Sequence, residues 1–278
     1  MKNFQRPVSN YFYLVVIFVL FLITYSFTII WMWGRWSARD SYYSHGSLVP
    51  LISAFLIYRK RDVLGQIPVK HDTAGLYIFI FGILLQIFSA FWRVHFISGF
   101  SMPLALIGIV IYLYGFDIFK AIAFPMLFLF FMVPVPLVVI SELSLKLKLL
   151  TTKLTILVSD MMGIAAVQAG NVLYFPTGQM VVGDVCSGLR SLISLLAMGA
   201  LYAHLLPVSN FKKWIMFLSA VPISVIANMV RMLMLCVIAN IWGVDHTTGL
   251  VHDSTGILIY ITAFLLLFSL DKLLLRRK

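Results

Sequence analysis

The chain reads as an all-α membrane protein: a polytopic helical bundle of about eight transmembrane helices, with one interfacial amphipathic helix and a small extracytoplasmic β-hairpin. Three observations predict this. Of the 278 residues, 62% are apolar and only 11% charged, against about 25% charged in a soluble domain. The apolar residues gather into runs close to the roughly 20 residues that one helical crossing needs. Most of the 21 basic residues stand between or beyond those runs, so the net charge of +11 reads as a set of topology signals and not as a nucleic-acid surface. No stretch is polar enough for a separate soluble domain, and the expectation is a single membrane-embedded domain over residues 1–278.

The first run, Tyr11 to Trp33, is too long for a signal-peptide core and is followed by no small-residue cleavage site, which predicts a retained span. Gly46 to Tyr58, a short run, then Ala74 to Phe91, Ile97 to Tyr114 and Ile118 to Ile140 follow. Beyond them Leu143, Leu147, Leu150, Leu154, Leu157 and Met161 recur at helical spacing while Glu142, Lys146, Lys153 and Asp160 interrupt the hydrophobicity. That pattern suits a helix lying in the membrane interface. From Gln168 to Asp184 short β-type segments surround Phe175-Pro176-Thr177-Gly178, whose Pro and Gly favour a hairpin turn. Ser187 to Leu206, Trp214 to Ile241 and Ser254 to Leu270 complete the spans.

Cytoplasmic loops retain basic residues, which predicts that both termini are cytoplasmic. Arg35, Arg39, Arg93, Lys146, Lys148 and Lys153 then fall outside, and Arg190 and Arg231 lie within spans. A crossing by the amphipathic helix would invert everything after it and carry Lys212 and Lys213 outward, so that helix is expected to stay on the surface.

An ionisable residue inside the membrane is costly and is by default a functional-site candidate. Arg231 lies about 25 Å along its helix from Trp214, near the outer edge of the hydrocarbon. Snorkelling to the outer headgroups is the competing reading. Cys186 precedes the apolar run Leu189 to Leu196, with Asp184 or Ser187 available as an N-cap. Backbone N–H groups at a helix start and a nearby arginine favour the thiolate, whereas a small buried thiol is the commoner fate of a free cysteine. Gly188 leaves room for a peptide substrate to approach, and Arg190 shares the face of Cys186 if the helix begins early. Cys236, inside the apolar stretch Met232 to Ile238, is assigned to packing. Two cysteines make no disulfide framework and match no metal spacing.

His252 stands in the short outer loop Trp242 to Asp253, just before the last span. The topology thus brings Cys186, Arg231 and His252 from different helices to one leaflet. A thiol needs a base that titrates near neutrality, and a tetrahedral oxyanion needs a fixed positive donor. His45, with Arg39 and Asp40 on the first outer loop, either lines the same mouth or anchors the interface. Asn228, one turn before Arg231, either orients its guanidinium or bonds a neighbouring helix.

At these residues the sequence resembles the exosortase and archaeosortase family of integral-membrane cysteine transpeptidases, over most of its length. Asp184-Val-Cys186-Ser-Gly188-Leu-Arg190-Ser191 is similar to the family's nucleophile motif, followed by Asn228-Met-Val-Arg231 and then His252 before the final span. Tyr43-Ser44-His45-Gly46-Ser47-Leu48-Val49 and Phe131-Met-Val-Pro134-Val-Pro136 also look familiar. The resemblance implies that Cys186 is the nucleophile, Arg231 an essential charge partner and His252 the third member. Archaeosortases look to carry arginine at that third place, so the histidine is similar to the bacterial exosortase branch.

That branch implies a multi-pass protein of the bacterial inner membrane with its active site on the extracytoplasmic face. It implies a cysteine protease and transpeptidase acting in protein sorting and processing. Its partners would be exported membrane proteins with a C-terminal sorting signal: a recognition motif, a transmembrane helix and a basic tail. The signal would be cleaved through a thioester acyl-enzyme and the protein passed to an acceptor, either a lipid or a glycan, with no metal, organic cofactor or nucleic acid. A membrane transporter or exopolysaccharide-assembly component is the non-enzymatic rival, although a transporter would place polar residues near mid-membrane on several helices. A metal-dependent hydrolase using His45, His246, His252 and Asp253 is the second rival, and no HExxH-type spacing supports it.

Overall fold

The computed structural model describes residues 8–39, 41–183, 186–247 and 249–275; the side chains of residues 8–11, 250, 252, 253, 274 and 275 fall outside that description. The chain folds as two compact units, Met1–Ala38 with Ser44–Pro134 and Arg39–Tyr43 with Val135–Lys278.

The first unit is helical throughout its regular structure. It contains α1 (Val8–Trp36), a 3₁₀ turn at Ser44–Ser47, α2 (Leu48–Arg59), the short α3 (Arg61–Leu64), α4 (Thr73–Trp92), α5 (His95–Tyr114), α6 (Phe116–Ala121), α7 (Ala123–Phe128) and a second 3₁₀ turn at Leu129–Met132. The Asp72 carboxylate accepts from the Ala74 N–H at 2.9 Å and caps the start of α4. Helices α4 and α5 form a tight hairpin, because small residues let their backbones meet: a Cβ on Gly75 would strike the backbone of Tyr112, and one on Gly108 the backbone of Phe79. Close approach of this kind replaces the hydrophobic effect, which provides little drive between helices in lipid. Helix α1 is tied to the hairpin by polar contacts: Ser101 donates to the Tyr25 hydroxyl at 3.2 Å, and Gln86 donates to the Thr24 carbonyl at 3.2 Å.

The second unit holds α8 (Leu137–Met161), strands β1 (Val167–Ala169), β2 (Val172–Phe175) and β3 (Gly178–Val181), α9 (Leu189–Leu205), α10 (Asn210–Trp242), a 3₁₀ turn at Val244–Thr247 and α11 (Leu250–Leu275). Helix α10 packs against α8, α9 and α11. The strands make an antiparallel meander in the order β1-β2-β3. One face of the meander, carrying Leu173, Phe175 and Val182, is buried against Met232, Cys236 and Ala239 of α10.

Four features differ from the sequence expectation. Among the described residues, five helices are long and apolar enough to cross a membrane, or up to six if Ala123–Met132 and Leu137–Met161 together make one span. Two expected spans are short: α2 has 12 residues and α9 has 17, at about 1.5 Å per residue less than a hydrocarbon layer of roughly 30 Å. The expected span Ile118 to Ile140 is not one helix: it is interrupted at Ile122 and by the 3₁₀ turn Leu129–Met132, and Pro134 and Pro136, which lack the N–H a helix needs, lie in the non-helical stretch before α8 starts at Leu137. The hairpin is a three-stranded sheet, since Gly170, in a left-handed turn (φ +62°), adds β1 to it.

The structure also decides the polarity of α8, which the sequence left open. Its leucine stripe faces outward: Leu143, Leu150, Leu157 and Met161 are exposed, and none of the six stripe residues is buried. The buried face carries Ser144, Lys148, Thr151, Thr152, Thr155 and Ser159. Thr152 and Thr155 satisfy their hydroxyls on the carbonyls one turn back, at 2.7 and 2.8 Å. An apolar face turned out and a polar face turned in is the reverse of a helix resting on a soluble core, and it suits a helix whose outer side meets lipid.

Replacing Gly108 by Leu should force α4 and α5 apart and destabilise the detergent-solubilised protein by about 1–3 kcal/mol, the usual range for overpacking. The Gly34→Ala variant is the control, because a Cβ there meets nothing within 4 Å. Thermal unfolding should show a lower midpoint for the first variant and little change for the second.

Candidate active site

The site is built where the sheet hands the chain to α9. Cys186 lies in the short turn ahead of Leu189 and is 6% exposed. The turn is held from α10: the Asn228 side-chain amide donates to the Cys186 carbonyl at 2.9 Å. Gly188 takes the N-cap position of α9 in the left-handed region (φ +76°), and a Cβ there would stand 2.9 Å from the Asn228 side chain. Glycine is therefore required twice over, for its backbone angle and for the approach of Asn228. The Ser191 hydroxyl donates to the Gly188 carbonyl at 2.8 Å, and the Ser187 hydroxyl accepts from the Leu189 N–H at 3.3 Å. Of the two expected caps, Ser187 contributes this contact, and Asp184 lies outside the described residues.

Arg231 is 2% exposed. Its Nε donates to the Thr255 hydroxyl of α11 at 3.2 Å, which aims a fixed guanidinium inward and does not let it snorkel to a headgroup. Among the described residues, the charges acting on the Cys186 thiol are those of Arg231 and Lys148. Burial pushes the thiol above its ordinary range, and the Arg231 and Lys148 cations, in that order, with a backbone hydrogen bond at Gly183, pull it back only in part. A helix start and a nearby arginine favour the thiolate, and here desolvation by burial outweighs them.

Arg190 is half-buried, with its guanidinium 5.9 Å from the centre of the Tyr42 ring. Cys236 is fully buried in the cluster behind the sheet. Cys186, Gly188, Asn228 and Arg231 thus come together within the second unit, while His45 belongs to the first, half-buried, where desolvation holds its imidazole below the ordinary histidine range. His252 stands in the backbone of α11, three residues before Thr255, and its side chain lies outside the described part. Among the described residues no group of three or more His, Cys, Asp and Glu is placed to hold a metal ion.

Lys148 is a candidate site residue that the sequence does not single out: its charge acts on the Cys186 thiol. It is 7% exposed, on the polar buried face of α8. The leucine repeat occupies the opposite face of the same helix. The signal was present in the spacing of Ser144, Lys148, Thr151, Thr155 and Ser159, which recur every three or four residues and form a stripe as regular as the leucines.

A pocket of about 320 Å³ opens beside the thiol, lined by β3 and the residues just after it, by Met232 and Leu235 of α10, and by Val244 and Thr247. Fold and site together define a helical membrane protein with a buried thiol that lines a largely apolar pocket and is acted on by two cations. The chain belongs to the transmembrane exosortase family (Exosortase_EpsH), whose model matches residues 33–269. The matched region includes Cys186, Arg231 and His252. Neither a curated protein nor a solved structure matches the chain.

In a Cys236→Ser background Cys186 is the sole thiol. Its alkylation by N-ethylmaleimide should accelerate with pH through a midpoint above the ordinary thiol value of about 8.5. Arg231→Gln and Lys148→Met each remove a positive charge that favours the thiolate, and each should move that midpoint further up. A midpoint at or below the ordinary value, or one indifferent to both substitutions, would contradict this electrostatic account.

Proposed function

We propose that the chain is a membrane-embedded cysteine transpeptidase that cleaves the C-terminal sorting signal of exported proteins and transfers them to an acceptor. The observation that carries the reading is a thiol held by Asn228 and acted on by the charges of Arg231 and Lys148, inside a family-matched helical bundle. A transmembrane tail packs against the bundle and sets its recognition motif beside Cys186 on the extracytoplasmic side of the bacterial inner membrane, with both chain termini cytoplasmic.

His252 takes the thiol proton as sulfur attacks the scissile carbonyl carbon, and the C–S bond forms. The oxyanion is stabilised by Arg231 and by backbone N–H groups following Cys186. The C–N bond then breaks, His252 returns the proton to the leaving amine, and the tail departs from a thioester acyl-enzyme. An amine of the acceptor, a lipid or a glycan, attacks that thioester, and the thiolate leaves. Lys148 adds a second positive charge that favours the thiolate when sulfur acts as nucleophile and as leaving group. A thioester is more readily aminolysed than hydrolysed, which is the chemical reason a cysteine suits transfer. Burial of the sulfur supports the same reading, because excluded water protects the acyl-enzyme.

Cys186→Ala should leave thermal stability near that of the parent and abolish processing, so that precursor keeping its tail accumulates on immunoblots; normal processing would sink the enzyme assignment. Arg231→Lys should keep the charge but lose the fixed fork, with kcat down by roughly 10²- to 10³-fold. For orientation, a Gly183→Cys substitution in a Cys186→Ala, Cys236→Ala background provides an exposed reporter at the pocket. An impermeant maleimide should label it in spheroplasts and fail to label it in inside-out vesicles. The reverse pattern would place the site on the cytoplasmic side.

A further inference from the structure

The pocket beside Cys186 touches Gln179, Met180, Val181, Val182 and Gly183. Successive strand residues point to opposite faces, so a pocket that touches all of them runs along the strand's edge and not over one face. Among the described residues that edge carries no strand partner: β3 is the terminal strand of the order β1-β2-β3 and pairs with β2 alone. The register shows which main-chain groups lie there. Val182 N–H donates to the Asn171 carbonyl at 2.8 Å, and in an antiparallel ladder hydrogen-bonded and non-bonded pairs alternate. Met180 and Gly178 therefore turn their main-chain groups to Leu173 and Phe175 on β2, while Gln179 and Val181, opposite Tyr174 and Val172, turn theirs outward. Among the described residues these outward groups have no other backbone partner.

We propose that this edge of β3 is the substrate-recognition site, where an extended peptide segment flanking the scissile bond pairs as a fourth strand and inserts an uncharged apolar side chain into the pocket beside Cys186. The proposal rests on the reading of Cys186 as nucleophile. Its occupant follows from complementarity. Two residues with outward N–H and C=O groups match the repeat of an extended main chain, and strand addition of this type derives affinity from the backbone and selectivity from the pocket. No charged side chain lines the pocket among its described residues; Met180, Met232, Leu235 and Val244 do. A charged side chain would be desolvated there without a partner, whereas an aliphatic one replaces water at apolar walls. The pocket that touches this edge also touches Cys186, so a peptide paired along the edge lies beside the residue that carries the sulfur.

The test uses peptidyl chloromethyl ketones, which alkylate the sulfur with loss of chloride, on the full native chain in detergent, with the adduct at Cys186 quantified by mass spectrometry. The parent probe is acetyl-Val-Thr-Val-Ala chloromethyl ketone. A counterpart with its backbone nitrogens methylated keeps every side chain and loses the N–H donors, and it should inactivate at least 10-fold more slowly. A counterpart with Asp in place of each Val should be slower by a similar factor. Val181→Pro removes one outward N–H at an edge position, where proline is tolerated, and should lower the parent's rate by at least 5-fold relative to iodoacetamide measured on the same variant. Equal rates for the parent and methylated probes on the native chain would overturn the proposal, whatever the behaviour of Val181→Pro. So would rapid disulfide dimerisation of a Gln179→Cys variant, because the edge would then be pairing with a second copy. Failure of the parent reading is separate: it is the persistence of processing in Cys186→Ala.

Discussion

Burial of the Arg231 guanidinium among apolar helices is the constraint on which the second unit depends. A charge at 2% exposure forfeits its hydration and must be compensated by polar groups fixed nearby. Thr255 of α11 accepts from Nε. Asn228, one turn before Arg231 on α10, is also fully buried and donates to the Cys186 carbonyl. Once that helix face is polar, α10 cannot present it to lipid, and α8, α9 and α11 pack around α10. Helix α8 likewise turns its polar face inward, its hydroxyls and Lys148 buried while its leucines point away.

The thiol inherits both sides of that environment. Burial disfavours the charged sulfur, and Arg231 and Lys148 favour it, with burial prevailing at rest. Placement of the sulfur is a separate matter from its charge. Asn228 holds the Cys186 carbonyl, and its approach is permitted by the missing side chain of Gly188, so one glycine and one amide determine where the thiol stands relative to β3.

The first unit obeys different physics. Its tightest contact, between α4 and α5, relies on glycines at positions 75 and 108 that bring backbones together, and its polar links from Tyr25 and Thr24 to Ser101 and Gln86 join α1 to that hairpin. Close packing and hydrogen bonds stand in for hydrophobic burial where the solvent is lipid. Many large apolar residues of α1 and α4 are consequently exposed, Phe27 and Phe91 at 81% and 80% among them, as expected of helices with a lipid-facing side.

What the amino-acid sequence determined by itself was composition and local order: a membrane protein, the long helices α1, α4, α5, α10 and α11, the turn at Pro176-Thr177, and the candidacy of Cys186, Arg231 and Asn228. Those are legible because hydropathy acts over windows of neighbouring residues, and because a buried cation is conspicuous in an apolar run. The tertiary structure decided the rest. Lys148 was hidden because a leucine repeat and a serine–threonine stripe share one helix, and periodicity alone does not say which face turns inward. The break at Pro134 and Pro136 was passed over because total hydropathy is blind to main-chain geometry. Whether the sulfur rests as thiol or thiolate was likewise beyond local reading, since its ionisation is a balance between burial and two cations brought from α8 and α10, elements far apart along the chain.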